Sequence, residues 1–149
     1  MEPFSIRMRA RWADMDHNAH LANSAFLDMA VDVRMSFFLD TGFHPTEFAR
    51  RGLGPVVRRD EVDYLREVRL LEDLTITMEL AGMSENGSRF RMANNFYKAD
   101  GQPCARLRTD GGWLDLANRR LTVPPPDLLD VMNRIARTDD FVVLPPSVR

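Results

Sequence analysis

Residues 24–40 constrain this chain more than any other stretch. Phe26, Met29, Ala30, Val33 and Phe37 recur at the three- and four-residue spacing of a helix, while Leu27, Val31, Met35 and Phe38 occupy the remaining faces. A helix that is apolar around most of its circumference cannot rest on a surface; it has to be enclosed. Asn23 or Ser24 is placed to cap its start, and Gly42 followed by Pro45 to end it. The rest of the chain must then supply a wrapping, and it holds the strands to do so. From Phe4 to Trp12 every second residue is apolar (Phe4, Ile6, Met8, Ala10, Trp12), with Ser5, Arg7, Arg9 and Arg11 between them, which is the pattern of a half-buried strand. Four more strand-like runs follow at 56–64, 74–83, 88–98 and 104–116. Asn86-Gly87 and Asp100-Gly101 stand between the last three, so these form an antiparallel meander. The layout is α+β, one long buried helix wrapped by a five-stranded antiparallel sheet. Residues 43–55 read as a loop with a short helical turn at 46–51, able to act as a lid. Residues 127–136 read as a C-terminal helix and 138–149 as an irregular tail. There is no internal repeat or linker, so 1–149 is expected to be one domain, with 124–149 its C-terminal helix and tail. A five-stranded sheet leaves open edges, and pairing them across a two-fold axis predicts a homo-oligomer, a dimer or tetramer.

Composition narrows the partners. Twenty basic residues against 22 acidic ones give a net charge of -2, which provides no global field for nucleic acid or an anionic membrane. Apolar stretches are broken by charges long before the ~18 residues that a membrane span requires. The single cysteine, Cys104, cannot form an intramolecular disulfide, and Met1-Glu2-Pro3 does not open a secretory signal, so a cytoplasmic location is expected.

The chemistry-bearing residues concentrate between the first strand and the helix. The segment Arg11-Trp12-Ala13-Asp14-Met15-Asp16-His17-Asn18-Ala19-His20-Leu21-Ala22-Asn23 places two carboxylates, two amides and two imidazoles just before a helix N-terminus, whose free N–H groups point at whatever binds there. Cleaving an ester or thioester needs a carboxylate to attack or to activate water, and fixed donors where negative charge develops on the carbonyl oxygen. Asp14 continues the inward alternation of the strand and reads as structural, bonded to backbone at the strand end. His17 reads as a surface residue. His17 and His20 have no third ligand at convincing spacing, so no metal is expected, and no cofactor either.

Here the sequence resembles the hotdog-fold thioesterases, of the 4-hydroxybenzoyl-CoA thioesterase and acyl-acyl-carrier-protein thioesterase type. Trp12, Asp14, Asp16, His20 and Asn23 fit the opening signature of that family, and Arg11, Trp12, Asp14, Asp16, Asn18 and His20 satisfy the R-W-x-D-x-D-x-N-x-H pattern of the acyl-carrier-protein branch. Val62-Asp63-Tyr64-Leu65-Arg66-Glu67 is similar to the family's second strand. The resemblance implies a hotdog fold and hydrolysis of acyl-CoA or acyl-carrier protein without a cofactor. It assigns catalysis to Asp16, Asn18, His20 and Glu67; the ordinary alternative for Glu67 is a solvated salt bridge within Arg66-Glu67-Val68-Arg69. Asn23 and Phe26 are expected to touch substrate. The acyl wall would be Phe26, Met29, Val33 and Phe37, with Val56 and Leu65 across from them.

Departures from the pattern also carry information. Phe26 stands where a Tyr is common and Ala22 where an Asn is common. The turn Glu85-Asn86-Gly87-Ser88 lacks the basic groups that meet CoA phosphates in relatives, which leaves that role to Arg58, Arg59, Arg89 or Arg91. Two rival functions stand beside hydrolysis. A hotdog dehydratase or hydratase would carry D-x-N-P-x-H, whereas here His20 follows Asp16 by four residues with no Pro between. A non-catalytic acyl-thioester binder is the other.

Overall fold

The computed structural model describes residues 1–149. The expected buried helix is α1, Asn23–Asp40, and a sheet curves around it. The long strands are β1 (Phe4–Arg9), β2 (Leu53–Tyr64), β3 (Asp73–Met83), β4 (Arg89–Lys98) and β5 (Pro103–Asp115), all antiparallel to their neighbours in the order β1-β3-β4-β5-β2. This is the hotdog arrangement. α1 buries Ala25, Phe26, Met29, Ala30, Val33, Phe37 and Phe38 against inward residues of β3, β4 and β5 such as Ile76, Met92, Phe96 and Leu107. Acidic residues Asp28, Asp32 and Asp40 interrupt its apolar run, and no helix in the structure is long and apolar enough to cross a membrane.

Gly87, at φ +73°, takes the left-handed conformation that the β3–β4 hairpin requires. The neighbouring Asn86 fixes the turn: its Oδ1 accepts from the Ser88 N–H at 3.0 Å, and its Nδ2 donates to the Val148 carbonyl at 2.6 Å.

Four features differ from the sequence expectation. β1 stops at Arg9 because Trp12–Asp14 coil into a 3₁₀ turn, and Trp12, expected inward, is 79% exposed. Residues 45–51 form a full helix, α2 (Pro45–Arg51), that is not built as a lid. Phe48 stacks on Trp113 with ring centroids 6.0 Å apart, and Arg51 chelates Asp127 at 2.9 and 2.6 Å. The C-terminal helix α3 is shorter than expected, Pro126–Asn133. The expected tail carries a strand: after the short β6 (Arg120–Thr122), which extends β5, comes β7 (Arg137–Val143), which pairs in parallel with the end of β3 at Leu80, Gly82 and Met83. The sheet therefore has seven strands, with β7 continuing the column of β1.

Candidate functional site

The polar segment after β1 is folded by its own side chains. Arg11 donates from Nε and Nη2 to both oxygens of Asp14, at 3.0 and 3.1 Å. This guanidinium contact holds the Asp14 carboxyl below the usual range. Both Asp14 oxygens are thus held by Arg11, where a bond to backbone was expected.

Asp16 has a different environment. Its Oδ1 accepts from the backbone N–H groups of Asn18 at 2.8 Å and His20 at 3.1 Å, while its own N–H donates to the His20 carbonyl at 2.8 Å. Ala19 takes a left-handed φ of 62° to close this small loop. The His20 amide is the main cause that lowers the Asp16 pKa, and the Asn18 amide adds to it. The carboxylate is ionised and its other oxygen, Oδ2, has no protein partner.

A second chain segment closes on this loop. Leu21 N–H donates to the Val68 carbonyl at 2.7 Å, and His20 forms a β-bridge with Arg69. That pairing sets His20 Nε2 2.9 Å from Glu67 Oε2. Arg69 reaches the other oxygen of Glu67 at 3.4 Å, so the alternative read from the sequence, a surface ion pair, is present as well. The N-cap of α1 is Ala22, not Asn23 or Ser24, and no side chain caps it. The first-turn N–H groups of Asn23 and Ser24 are left without an acceptor, at the positive end of an 18-residue helix dipole.

These pieces surround a cleft of about 300 Å³. Asp16, His20, Asn23, Arg66 and Glu67 form its polar side, and Leu21, Phe26, Tyr64 and Leu65 its apolar side. Phe26 sits edge-on to both Tyr64 and Phe96, at 5.4 and 5.3 Å between centroids, and Tyr64 Oη donates to the Asn23 carbonyl at 3.2 Å. Of the residues the sequence nominated, Asp16, His20, Glu67, Asn23 and Phe26 meet here. Asn18 contributes only its backbone N–H to the Asp16 turn.

The four nominated arginines lie elsewhere. Arg58, Arg89 and Arg91 converge on Asp110, at 3.7, 3.4 and 2.9 Å, and Arg59 pairs with Glu61 at 2.5 Å. Burial pushes the Asp110 carboxyl up, but Arg91 and Arg89 outweigh it and hold it low. Arg59, Glu61, Arg91, Arg108 and Asp110 line a separate polar cleft on β2, β4 and β5, and the guanidiniums of Arg58, Arg89 and Arg91 share the one Asp110 carboxylate. Met29, Val33 and Phe37, expected in the acyl wall, are core residues at 4%, 0% and 8% exposure. Tyr64, Arg66 and Leu21 were missed as site residues; for Tyr64 the inward alternation of Val62 and Tyr64 on β2 was the available signal. No three His, Cys, Asp or Glu side chains are grouped to hold a metal ion.

The sequence profile of the thioesterase-like superfamily matches residues 10–132. No curated protein matches the chain. Among solved structures, a hypothetical protein from Staphylococcus aureus in complex with CoA superposes with a TM-score of 0.83 at 17% identity, over 97% of this chain and 90% of its own. A 1,4-dihydroxy-2-naphthoyl-CoA thioesterase from Synechocystis superposes with a TM-score of 0.80 at 16% identity, over 89% and 97%. A DHNA-CoA thioesterase from Staphylococcus aureus gives 0.81 at 14% identity, over 90% and 91%.

Proposed function

The chain belongs to the thioesterase-like superfamily, and from that membership we propose that it hydrolyses an acyl thioester at the Asp16 cleft, releasing a carboxylic acid and the carrier thiol. The carrier is coenzyme A or acyl-carrier protein; the CoA held by the first structural neighbour and the CoA thioesters cleaved by the other two favour coenzyme A. The observation that carries the reading is the ionised Asp16 carboxylate, one oxygen fixed by two amides and the other free, beside an uncapped helix start.

Two routes use this arrangement. As a general base, Asp16 Oδ2 takes a proton from water, and the resulting hydroxide adds to the thioester carbonyl. As a nucleophile, Oδ2 adds to the carbonyl itself and gives an acyl-aspartyl anhydride that water then cleaves. In both, the carbonyl oxygen becomes negative near the N–H groups of Asn23 and Ser24, and the C–S bond breaks with the thiolate leaving. His20, oriented by Glu67, is the proton carrier at the rim. We infer that the enzyme works as a homo-oligomer in a reducing, cytoplasmic compartment.

Asp16→Asn is the test. The amide neither attacks nor accepts a proton, so kcat/KM on a panel of acyl-CoAs should fall by ~10²–10⁴ while the melting temperature stays close to wild type. Turnover near the wild-type level in that variant rejects the assignment. A wild-type protein that binds acyl-CoAs without any turnover identifies a binder instead.

A further inference from the structure

Arg34 is the one basic residue of α1, and the fold buries it. It is 9% exposed, its Nη1 is buried with no hydrogen-bond partner, and it forms no ion pair. Around it lies a cavity of about 160 Å³ with almost wholly apolar walls, lined by Val31, Met35 and Phe38 of α1, Val56 and Val57 of β2, and Met92 of β4. Burial pushes the Arg34 guanidinium pKa down, and the carboxylate acting against this is Asp60, which is outside ion-pair distance and accepts instead from Thr109 Oγ1 at 2.5 Å. An isolated guanidinium in apolar surroundings is costly, and a residue that cannot shed its proton is kept there only where something anionic meets it.

The position of the cavity says what that is. The Asp16 cleft and the Arg34 cavity both lie along the seam between α1 and β2. Phe26 and Tyr64 border the first; Arg34, Val56 and Val57 border the second. From Phe26 to Arg34 is about two helical turns, ~12 Å along the axis. An acyl group whose thioester carbonyl sits at the α1 N-terminus and whose chain follows this seam has its far end at Arg34.

We propose that Arg34 is a specificity-determining residue, and that its cavity receives the distal carboxylate of an ω-carboxyacyl thioester. This rests on the reading of the Asp16 cleft as the hydrolytic site. The apolar walls receive the methylenes, and the fork of the guanidinium donates to two carboxylate oxygens that no protein group now supplies. The preferred substrate class is thus a half-thioester of a dicarboxylic acid.

The experiment compares ω-carboxyacyl-CoAs with unsubstituted acyl-CoAs of matched chain length, on wild type and on Arg34→Met, by kcat/KM and by direct titration into the hydrolysis-deficient Asp16→Asn background. Wild type should favour the carboxylated member at the length that spans the seam, and Arg34→Met should reduce that preference by about tenfold or more, the scale of a lost charge-assisted pair. Because the substitution replaces an unpartnered buried charge with an apolar chain, its melting temperature should equal or exceed that of wild type. Equal handling of both series by wild type, or a preference that survives Arg34→Met, overturns the proposal. So does a lower melting temperature rescued by Asp60→Asn, which would make Arg34 a structural partner of Asp60. The titration arm separates the two readings: if wild type hydrolyses no thioester but the Asp16→Asn protein still binds the carboxylated series preferentially, hydrolysis fails while carboxylate recognition at Arg34 does not.

Discussion

Asp14 and Asp16 are the same residue type two positions apart, and the fold gives them opposite tasks. Asp14 spends both oxygens on Arg11, whereas Asp16 spends one on backbone amides and keeps the other free. Asp14→Asn should therefore lower the melting temperature while leaving most of kcat in place. The sign of its pH dependence is fixed by the direction of the shift. A carboxyl whose folded pKa is depressed stabilises the fold above its unfolded value of ~3.9, and that contribution disappears as pH falls through the folded value. Melting curves of wild type and Asp14→Asn should accordingly be separated at neutral pH and converge in acid; a constant gap at all pH values would show that the Arg11 contact is not what the substitution removes. For Asp16 the same direction places the acid limb of kcat/KM below ~pH 4, since the carboxylate remains ionised lower than a free aspartate. At this scale the sequence was legible where residues act through near neighbours. The D-x-D spacing and the loop hydrogen bonds of Asp16 are local, so their pattern survives in one dimension. Trp12 and Arg34 were not legible, because the inward alternation ends at a 3₁₀ turn and the burial of Arg34 depends on β2 closing over it.

The core helix and the meander announced themselves by period and by turn residues, whereas the parts that went unread depend on long-range pairing. β7 begins with Arg137, Thr138, Asp139 and Asp140, a polar run that looks like tail until it is laid beside β3. Its pairing covers the last residues of β3, and Leu144 beyond it is buried there, with Val148 carbonyl tied to Asn86. Removing residues 137–149 should thus lower the melting temperature and raise binding of a hydrophobic dye, as Leu80 and Met83 lose their cover; an unchanged melting temperature would make β7 an ornament. Within the sheet the most exacting position is Gly111 on β5, clasped between Val57 of β2 and Phe90 of β4. A Cβ there would run into the Val56 carbonyl and lie 2.9 Å from the Phe90 ring, so the strands themselves would have to part. Gly111→Ala should cost about 1–3 kcal/mol or more, as overpacking does, measured by denaturant unfolding. A neutral result would mean that β2 and β5 yield at the bulge beside Arg58.

At the scale of the whole molecule the sheet ends in two open edges, the β1–β7 column and β2, and only the second borders the two cavities. β7 continues the β1 column, but β2 pairs only with β5 along its length, and Val57, Tyr64 and Leu65 beside it are 56%, 50% and 44% exposed. Both cavities of the α1–β2 seam are lined in part by β2, so a second copy paired along that strand would wall them. Light scattering should show a dimer or larger assembly at micromolar concentration, and a fully active monomer would contradict it. The same geometry decides where substrate discrimination comes from. Arg58, Arg89 and Arg91 share the one carboxylate of Asp110 and Arg59 faces Glu61, and none of the four lines the Asp16 cleft. On the proposed function the acyl group would meet Phe26, Tyr64 and Leu65 at one end of the seam and Val56, Val57 and Phe38 at the other. Each methylene buried there contributes ~0.8 kcal/mol, so a few of them outweigh any one exposed arginine contact. kcat/KM across a series of acyl-CoAs should then vary steeply with acyl length and only weakly with ionic strength, which screens exposed charges but not apolar burial. Replacing Arg58 and Arg59 together by Gln should raise KM modestly at most. A flat length profile combined with a strong salt dependence would show the reverse: that the Asp110 cluster opens to receive phosphates, and that the seam between α1 and β2 serves the fold rather than the substrate.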